Sequence, residues 1–422
     1  MDHFDLKDGV LHAERVSLAA LADDVGTPFY CYSSATLERH YRVFADAIAH
    51  LGNAPPLVAF AAKANPNLSV LATLARLGAG ADVVSAGELA RAMAAGVPPD
   101  RIVFSGVGKQ AYELRAGIDA GILQFNVESE AEIAMLGEIA AGANRKVEIA
   151  VRVNPGVDAK THAKISTGGD DNKFGIPVAR VAAAFAQAAA FANLAPVGIA
   201  AHIGSQLSDL DPLEATFGAL GDLAAQLRAA SHAVTRIDLG GGLGVPYRPD
   251  VPAPPTPADY AAMVARVTRG WDARLIFEPG RLIAGNAGVL VARVILVKQG
   301  ATRTFVVVDA GMNDLLRPSL YGAWHEVVAV RPTGARMVAT VVGPVCESGD
   351  TFAEGRDMPA VAAGDLIAFL TAGAYGATMA STYNSRDLVP EAMVAGERWA
   401  VVSARRDAAA MMALDTRAPW LV

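Results

Sequence analysis

The sequence predicts an α/β plus β protein: a (β/α)8 barrel of the TIM type over residues 35–286, then a β domain over 287–422 that also takes the strands of residues 1–34. Three observations predict it. Between residues 57 and 277, eight short apolar runs alternate with helical stretches, the signature of a closed parallel barrel with its active site at the C-terminal ends of the strands. No dinucleotide-type glycine motif opens the series, which argues against an open doubly wound sheet. From about Ala287 the rhythm becomes strand after strand with no competing helical period, the pattern of a small barrel or sandwich.

In chain order, strand-like pieces stand at 10–13 and 28–32 around a helical 18–24. They have no partner in a (β/α)8 barrel and are expected to join the sheet of the β domain. Ser34 is the expected cap of a helix reaching about His50. Barrel strands are expected at 57–61, 81–84, 101–104, 124–127, 148–153, 197–201, 236–239 and 274–277. Helices are expected at 68–77, 86–95, 110–120, 130–140, 177–192, 212–230 and 258–268. The run 181–201 has no charge and the length of a bilayer span, but Gln187, Asn193 and Pro196 divide it into an alanine-rich helix and a buried strand. The proline-rich 249–257 is expected as a surface loop of the barrel. The β domain's strands are expected at 289–298, 303–309, 325–330, 336–342, 365–370, 391–395 and 398–402, with Gly396-Glu397 as a hairpin turn.

Composition narrows the function. With 422 residues, 52% hydrophobic and 19% charged, the chain has material for two sizeable cores and is not a disordered protein. A net charge of −7 without a Lys/Arg cluster gives no footprint for nucleic acid or an anionic membrane, so small molecules and copies of the same chain are the expected partners. Cys31 and Cys346 lie far apart with no metal-ligand spacing, so no metal is expected and the thiols are read as reduced, in a cytoplasmic protein. The opening Met1–Asp5 is acidic and lacks an apolar core, so no secretory signal is expected.

The polar residues converge on one rim of the expected barrel. The first strand delivers Lys63, and an ammonium at the end of a buried strand is costly unless paired or used, although a lysine there also marks where a strand leaves the core. Asp82 and Ser85 flank the second strand, and Arg152-Val153-Asn154 ends the fifth. The sixth ends in His202-Ile203-Gly204-Ser205-Gln206, the seventh in Gly240-Gly241-Gly242, the eighth in Glu278-Pro279-Gly280-Arg281. A loop of 156–175, carrying Thr161-His162, Ser166-Thr167-Gly168-Gly169 and Asn172–Gly175, is long enough to be a lid or binding loop. A lysine in a barrel mouth points to a Schiff base, with a carbonyl substrate or with pyridoxal phosphate. The second needs an anion site, a partner for the ring nitrogen and a group packed on the ring; the first needs neither of the last two. Gly240–Gly242, Glu278 and His202 offer these. A carboxylate at the ring nitrogen makes a strong electron sink, which favours decarboxylation over racemisation.

Taken together, Ala61-Ala62-Lys63-Ala64-Asn65, His202–Gln206, Gly240–Gly242, Glu278–Arg281, the run from Asp309 to Tyr321, Cys346-Glu347-Ser348-Gly349-Asp350 and Gly373-Ala374-Tyr375-Gly376-Ala377 resemble the ordered motifs of diaminopimelate decarboxylase. That family belongs to the fold type III pyridoxal-phosphate enzymes, with an alanine-racemase-like barrel and a C-terminal β domain, and the resemblance covers essentially the whole chain. It implies decarboxylation of meso-2,6-diaminopimelate to L-lysine and CO2, the last step of lysine biosynthesis. It further implies that Lys63 carries pyridoxal 5'-phosphate, that His202 packs on its ring and that Glu278 meets the ring nitrogen. Ser205, Gly240, Gly241, Gly242, Gly280, Arg281 and Tyr375 would surround the phosphate. Arg281, Arg317, Tyr321 and Tyr375 would hold the substrate, Cys346 would donate the proton and Glu347 would take the distal ammonium. The family's Cys-Glu loop serves the neighbouring subunit, which implies a homodimer with active sites at the interface. Single motifs are shared with ornithine and arginine decarboxylases, so a decarboxylase of another basic amino acid is the nearest alternative, then an amino-acid racemase or a non-catalytic cofactor carrier. Arg317 beside Tyr321 favours diaminopimelate, which has a carboxylate at its far end. Asp387 after Tyr383-Asn384-Ser385-Arg386 departs from the proline of many relatives.

Overall fold

In the computed structural model, which describes residues 2–158 and 172–421, eight parallel strands close into a barrel. They are Leu57–Ala61, Gly80–Val83, Ile102–Phe104, Gln124–Val127, Val147–Asn154, Leu194–Ala200, Arg236–Asp238 and Arg274–Phe277, each paired with the next. The eighth meets the first through Ile276↔Leu57 and Phe277↔Val58. The TIM-type barrel expected from the sequence is thus present. The pair Ile176–Pro177 extends the fifth strand's outer pairing where the long loop ends. Thr161-His162 and Ser166-Thr167-Gly168-Gly169 of that loop lie outside the described residues. Strand residues bury on both faces because helices cover the outside while Leu57, Ala59, Val103 and Ile276 pack together as one cluster.

The rim is shaped by helix caps. Asn67 accepts Ser69 N–H to start Leu68–Ala75, Ser85 accepts Glu88 N–H to start Ala86–Ala94, and Ser129 accepts Glu132 N–H to start Glu130–Gly142. The reciprocal bonds run back to the strand ends: Glu88 takes Val84 N–H at 2.9 Å and Glu132 takes Glu128 N–H at 3.0 Å. Cap and strand end therefore fix each other, which holds the polar residues of the rim in register.

In the loop after the third strand, Lys109 is buried, its Nζ 2.6 Å from Glu132 and 2.8 Å from the carbonyls of Gly106 and Asn126. Burial pushes the Glu132 carboxyl up and Lys109 draws it back down. Removing one partner of a buried pair strands the other, so Lys109→Met is expected to cost about 3–5 kcal/mol of unfolding free energy in denaturant titration. Arg115→Met, in an exposed i,i+4 pair with Asp119, is expected to leave the midpoint nearly unchanged.

The chain divides into two compact units, Glu38–Pro246 with Pro252–Ile283, which holds the barrel, and Met1–Leu37, Tyr247–Val251 and Ala284–Val422. The second is built on the long strand Gly288–Gln299. One half pairs antiparallel with Thr304–Val308, which runs parallel to Arg336–Val342; the other half lies between Phe29–Ser33 and Leu366–Phe369. Phe29–Ser33, fully buried, also pairs parallel with Glu391–Ala395. The expectation that N-terminal strands join this sheet holds for Phe29–Ser33, while Phe4–Lys7, Val10–Ala13 and Val16–Ser17 form a small sheet of their own in the same unit. Among the elements that differ from expectation, two have a local cause. Thr351–Pro359 is a strand on the edge of the sheet; its charges and glycine hide the alternation. Ser33, not Ser34, caps the helix Ser34–Ile48 by taking Thr36 N–H at 3.1 Å, while the Ser34 hydroxyl turns to Glu14.

Candidate active site

The first barrel strand ends in the turn Ala62–Ala64, which lifts Lys63 onto the rim. Asn65 then takes Asn67 N–H at 3.1 Å, closing the turn before the next helix. Lys63 Nζ lies 2.8 Å from Asp82 Oδ2; the lysine side chain is 33% exposed and the aspartate wholly buried. The other oxygen, Asp82 Oδ1, is buried without a hydrogen-bond partner among the described residues. Lys63 faces a cavity of about 400 Å³, lined also by Ser105, Asn126, Arg152, Phe174, His202 and Glu278 among others.

His202 stands at the sixth strand's end, and its Nδ1 accepts Gly241 N–H at 3.2 Å. Accepting there fixes the neutral ring with its proton on Nε2. Burial lowers its basicity well below that of an ordinary histidine, with Lys63 and Arg152 adding to the effect. Arg152 is tied to Glu128 at 2.9 Å, stacks at 4.8 Å on Phe174 and donates to the His202 carbonyl at 3.3 Å. Glu128 also takes the N–H groups of Gly106 at 2.8 Å and Gly175 at 3.1 Å. One carboxylate thus joins the loop after the third strand to the end of the loop after the fifth.

Glu278, on the eighth strand, is buried beside Asp238 on the seventh. Burial, then the charges of Asp238 and Asp82, raise the Glu278 carboxyl well above the carboxylate range, and burial pushes Asp238 up to about 6. The two are hydrogen-bonded, and burial favours the protonated form of the pair. Gln124 donates to Asn126 Oδ1 at 2.8 Å, which turns the Asn126 amide nitrogen toward Asp238 at 3.0 Å and Glu278 at 3.3 Å. The other Asp238 oxygen takes Gly240 N–H at 2.9 Å. Asp238 therefore links the acid of the eighth strand to the glycine turn of the seventh. Gly240 has φ of 63°, and a Cβ there would stand 2.4 Å from the Ala201 carbonyl; at Gly241 it would stand 2.3 Å from that of Glu278. Only glycine lets this turn lie against both neighbouring strands. Nearby, Arg281 donates to the Ser205 hydroxyl at 3.2 and 3.0 Å, and a Cβ on Gly280 would touch Ala61 and Ala64.

The barrel thus brings together Lys63, His202, Ser205, Gly240, Gly241, Gly242, Glu278, Gly280 and Arg281. Asn126 and Asp238, which the motif reading missed, belong with them; the signal for Asp238 was an acid inside the apolar run Ile237-Asp238-Leu239. The remaining candidates lie in the other unit. Asp314 takes Gly311 N–H at 2.8 Å, and burial pushes its carboxyl up to about 7. That turn feeds the short helix Arg317–Tyr321, with proline at its start, where a missing N–H costs nothing. Cys346 and Glu347 stand on an exposed loop before the strand Thr351–Pro359. Cys346 N–H donates to Asn384 Oδ1 at 3.0 Å, and the Tyr383 hydroxyl is bonded to Glu347. Tyr375 has a left-handed φ of 56°, and Asp387 lies 3.8 Å from Arg405.

This donor set fits pyridoxal phosphate: an amine beside a buried acid, a neutral imidazole on the cavity wall, a buried acid whose protonated form burial favours, and a glycine turn near an arginine and a hydroxyl. Residues 34–285 match the family described as pyridoxal-dependent decarboxylase, pyridoxal binding domain, so barrel and site define a pyridoxal-phosphate-dependent decarboxylase. The chain is 50% identical over 418 residues, 99% of each chain, to a diaminopimelate decarboxylase of Zymomonas mobilis. Crystal structures of diaminopimelate decarboxylase with L-lysine are similar: that from M. jannaschii with a TM-score of 0.96 at 34% identity, covering 100% of this chain and 99% of that one. That from Helicobacter pylori gives 0.90 at 40% identity, covering 94% and 98%. The chain belongs to the diaminopimelate decarboxylase family.

Proposed function

We propose that this chain is a carboxy-lyase that decarboxylates meso-2,6-diaminopimelate to L-lysine and CO2, the last step of lysine biosynthesis, with pyridoxal 5'-phosphate as cofactor. The observation that carries the reading is the convergence of Lys63, His202 and Glu278 on one cavity, in a chain with full-length relatives of that activity. When bound, pyridoxal phosphate supplies an electron sink for the pair left by the departing CO2. Lys63 would hold it covalently, His202 would pack on its ring, and Glu278, backed by Asp238, would keep its ring nitrogen protonated. Ser205, Gly240, Gly241, Gly242, Gly280, Arg281 and Tyr375 would bind its phosphate.

Toward the substrate, Arg281, Arg317, Tyr321 and Tyr375 would hold carboxylates, and Glu347 the distal ammonium. The carbon–carbon bond to the leaving carboxylate breaks, and the Cys346 thiol would deliver a proton to the carbon left behind. We further propose a homodimer in which the Cys346–Glu347 loop serves the partner's site, working in the cytoplasm. Among the described residues no helix is long and apolar enough to cross a membrane.

The test is CO2 release from a substrate panel with pyridoxal phosphate added. Meso-diaminopimelate is expected to exceed ornithine, arginine and lysine in kcat/KM on the order of 100-fold, the worth of one charge-assisted carboxylate contact. A preference for any of the other three would replace this reading with a decarboxylase of another basic amino acid. D/L interconversion without CO2 would make it a racemase.

A further inference from the structure

Arg317 is only 5% exposed and His325 is fully buried. A buried guanidinium must be paired or hydrogen-bonded. Here Arg317 Nη1 lies 2.8 Å from His325 Nε2, while His325 Nδ1 lies 2.9 Å from the Leu370 carbonyl. A carbonyl only accepts, so Nδ1 carries the ring proton and Nε2 presents its lone pair to the arginine. An imidazolium would set two N–H groups against each other at that distance, so the ring is neutral. The guanidinium carbon also lies 4.7 Å from the centre of the Tyr247 ring, and Tyr247 meets His325 edge to face, at 5.5 Å and 83°. A second stack, of Arg248 and Arg356 on Trp324, holds the same segment 247–251 beside it. A lone pair and an aromatic face together fix the plane of a guanidinium.

We infer that His325 and Tyr247 are positioning residues that set Arg317 for the carboxylate at the substrate's far end. The inference rests on the role proposed above for Arg317. It names what orients that arginine: the lone pair of His325 and the ring of Tyr247. L-Lysine keeps the far carboxylate, so product binding depends on the same alignment.

The experiment is steady-state kinetics on cofactor-loaded enzyme, with L-lysine inhibition measured in parallel. His325→Leu is expected to raise KM for meso-diaminopimelate and Ki for L-lysine together, about 10-fold or more. Its kcat is expected to stay within about threefold, the pattern of lost uniform binding. The absorbance of bound cofactor is expected to stay unchanged. His325→Gln, which keeps an acceptor for Arg317, is expected to restore most of the affinity. Tyr247→Leu, at a half-buried position, is expected to shift KM in the same direction, and Tyr247→Phe is not. If Arg317→Met leaves KM unchanged, the role given to Arg317 fails and the inference with it. If Arg317→Met raises KM while His325→Leu and Tyr247→Leu do not, the inference alone is overturned. Equal losses of kcat and cofactor loading in His325→Leu would also overturn it, as marks of a purely structural role. Should His325→Leu fail to fold, Tyr247→Leu against Tyr247→Phe decides.

Discussion

Lys63→Ala is expected to lower kcat/KM for CO2 release by on the order of 10⁴-fold or more and to remove the absorption band of lysine-bound cofactor. The geometry separates two roles that one lysine can have. As a charge, Lys63 balances Asp82 at 2.8 Å. As an amine, it is the group at the cavity wall able to form a carbon–nitrogen double bond with a bound aldehyde. Lys63→Arg keeps the charge and the contact with Asp82 but cannot form that bond, because a guanidinium stays protonated. Both variants are therefore expected to be inactive and colourless. A Lys63→Arg enzyme with more than a few percent of wild-type turnover would show that the ion pair, not the amine, matters. Melting temperature serves as the control. Asp82 is wholly buried, so Lys63→Ala strands its charge and is expected to lower the melting temperature, whereas Lys63→Arg keeps a cation beside it and is expected to lower it less.

How much of this was legible beforehand depended on the kind of signal. The barrel showed itself through repetition: eight buried strands cannot avoid apolar runs, and their spacing survives errors of a residue or two at each end. Lys63, His202, Gly240–Gly242 and Glu278 were legible because each follows such a run, where the fold puts its active site. Asn126 and Asp238 were not singled out, since their role comes from sitting opposite one another across the barrel interior, a relation that sequence distance does not encode. The strand Thr351–Pro359 escaped because an edge strand exposes many of its residues and needs no hydrophobic alternation. The helix Arg317–Tyr321 is too short for a helical period to register, so its arginine was found by motif and its partner His325 not at all. Tyr247 falls inside the barrel range 35–286 expected from the sequence, yet it groups with the β unit, where it stacks on Arg317.

Glu278→Gln is expected to cut kcat about 100-fold, the usual loss when one preorganised electrostatic partner is removed from a buried site, and to do so without destabilising the protein. The sign follows from the protonated form that burial favours in the pair of Glu278 and Asp238. In the unfolded chain these carboxyls titrate near about 4.3 and 3.9; in the folded protein Asp238 titrates at about 6 and Glu278 well above its ordinary range, chiefly because both are buried. The folded state thus keeps a proton that the unfolded chain has released. The stability linked to that proton is present in full below about pH 4 and is lost as pH rises through the folded values. At pH 8 the pair is a cost. A glutamine can donate to Asp238 and accept from Asn126, which bonds Glu278 at 3.3 Å, and it carries no charge to bury. The variant's melting temperature is therefore expected to match or exceed wild type at pH 8, with any advantage shrinking toward pH 5. A fall of several degrees at pH 8 would show that Glu278 holds the barrel together. Lost turnover with retained or raised stability would instead mark an acid kept at the site against the interest of the fold, as expected of a group whose task is to control a proton.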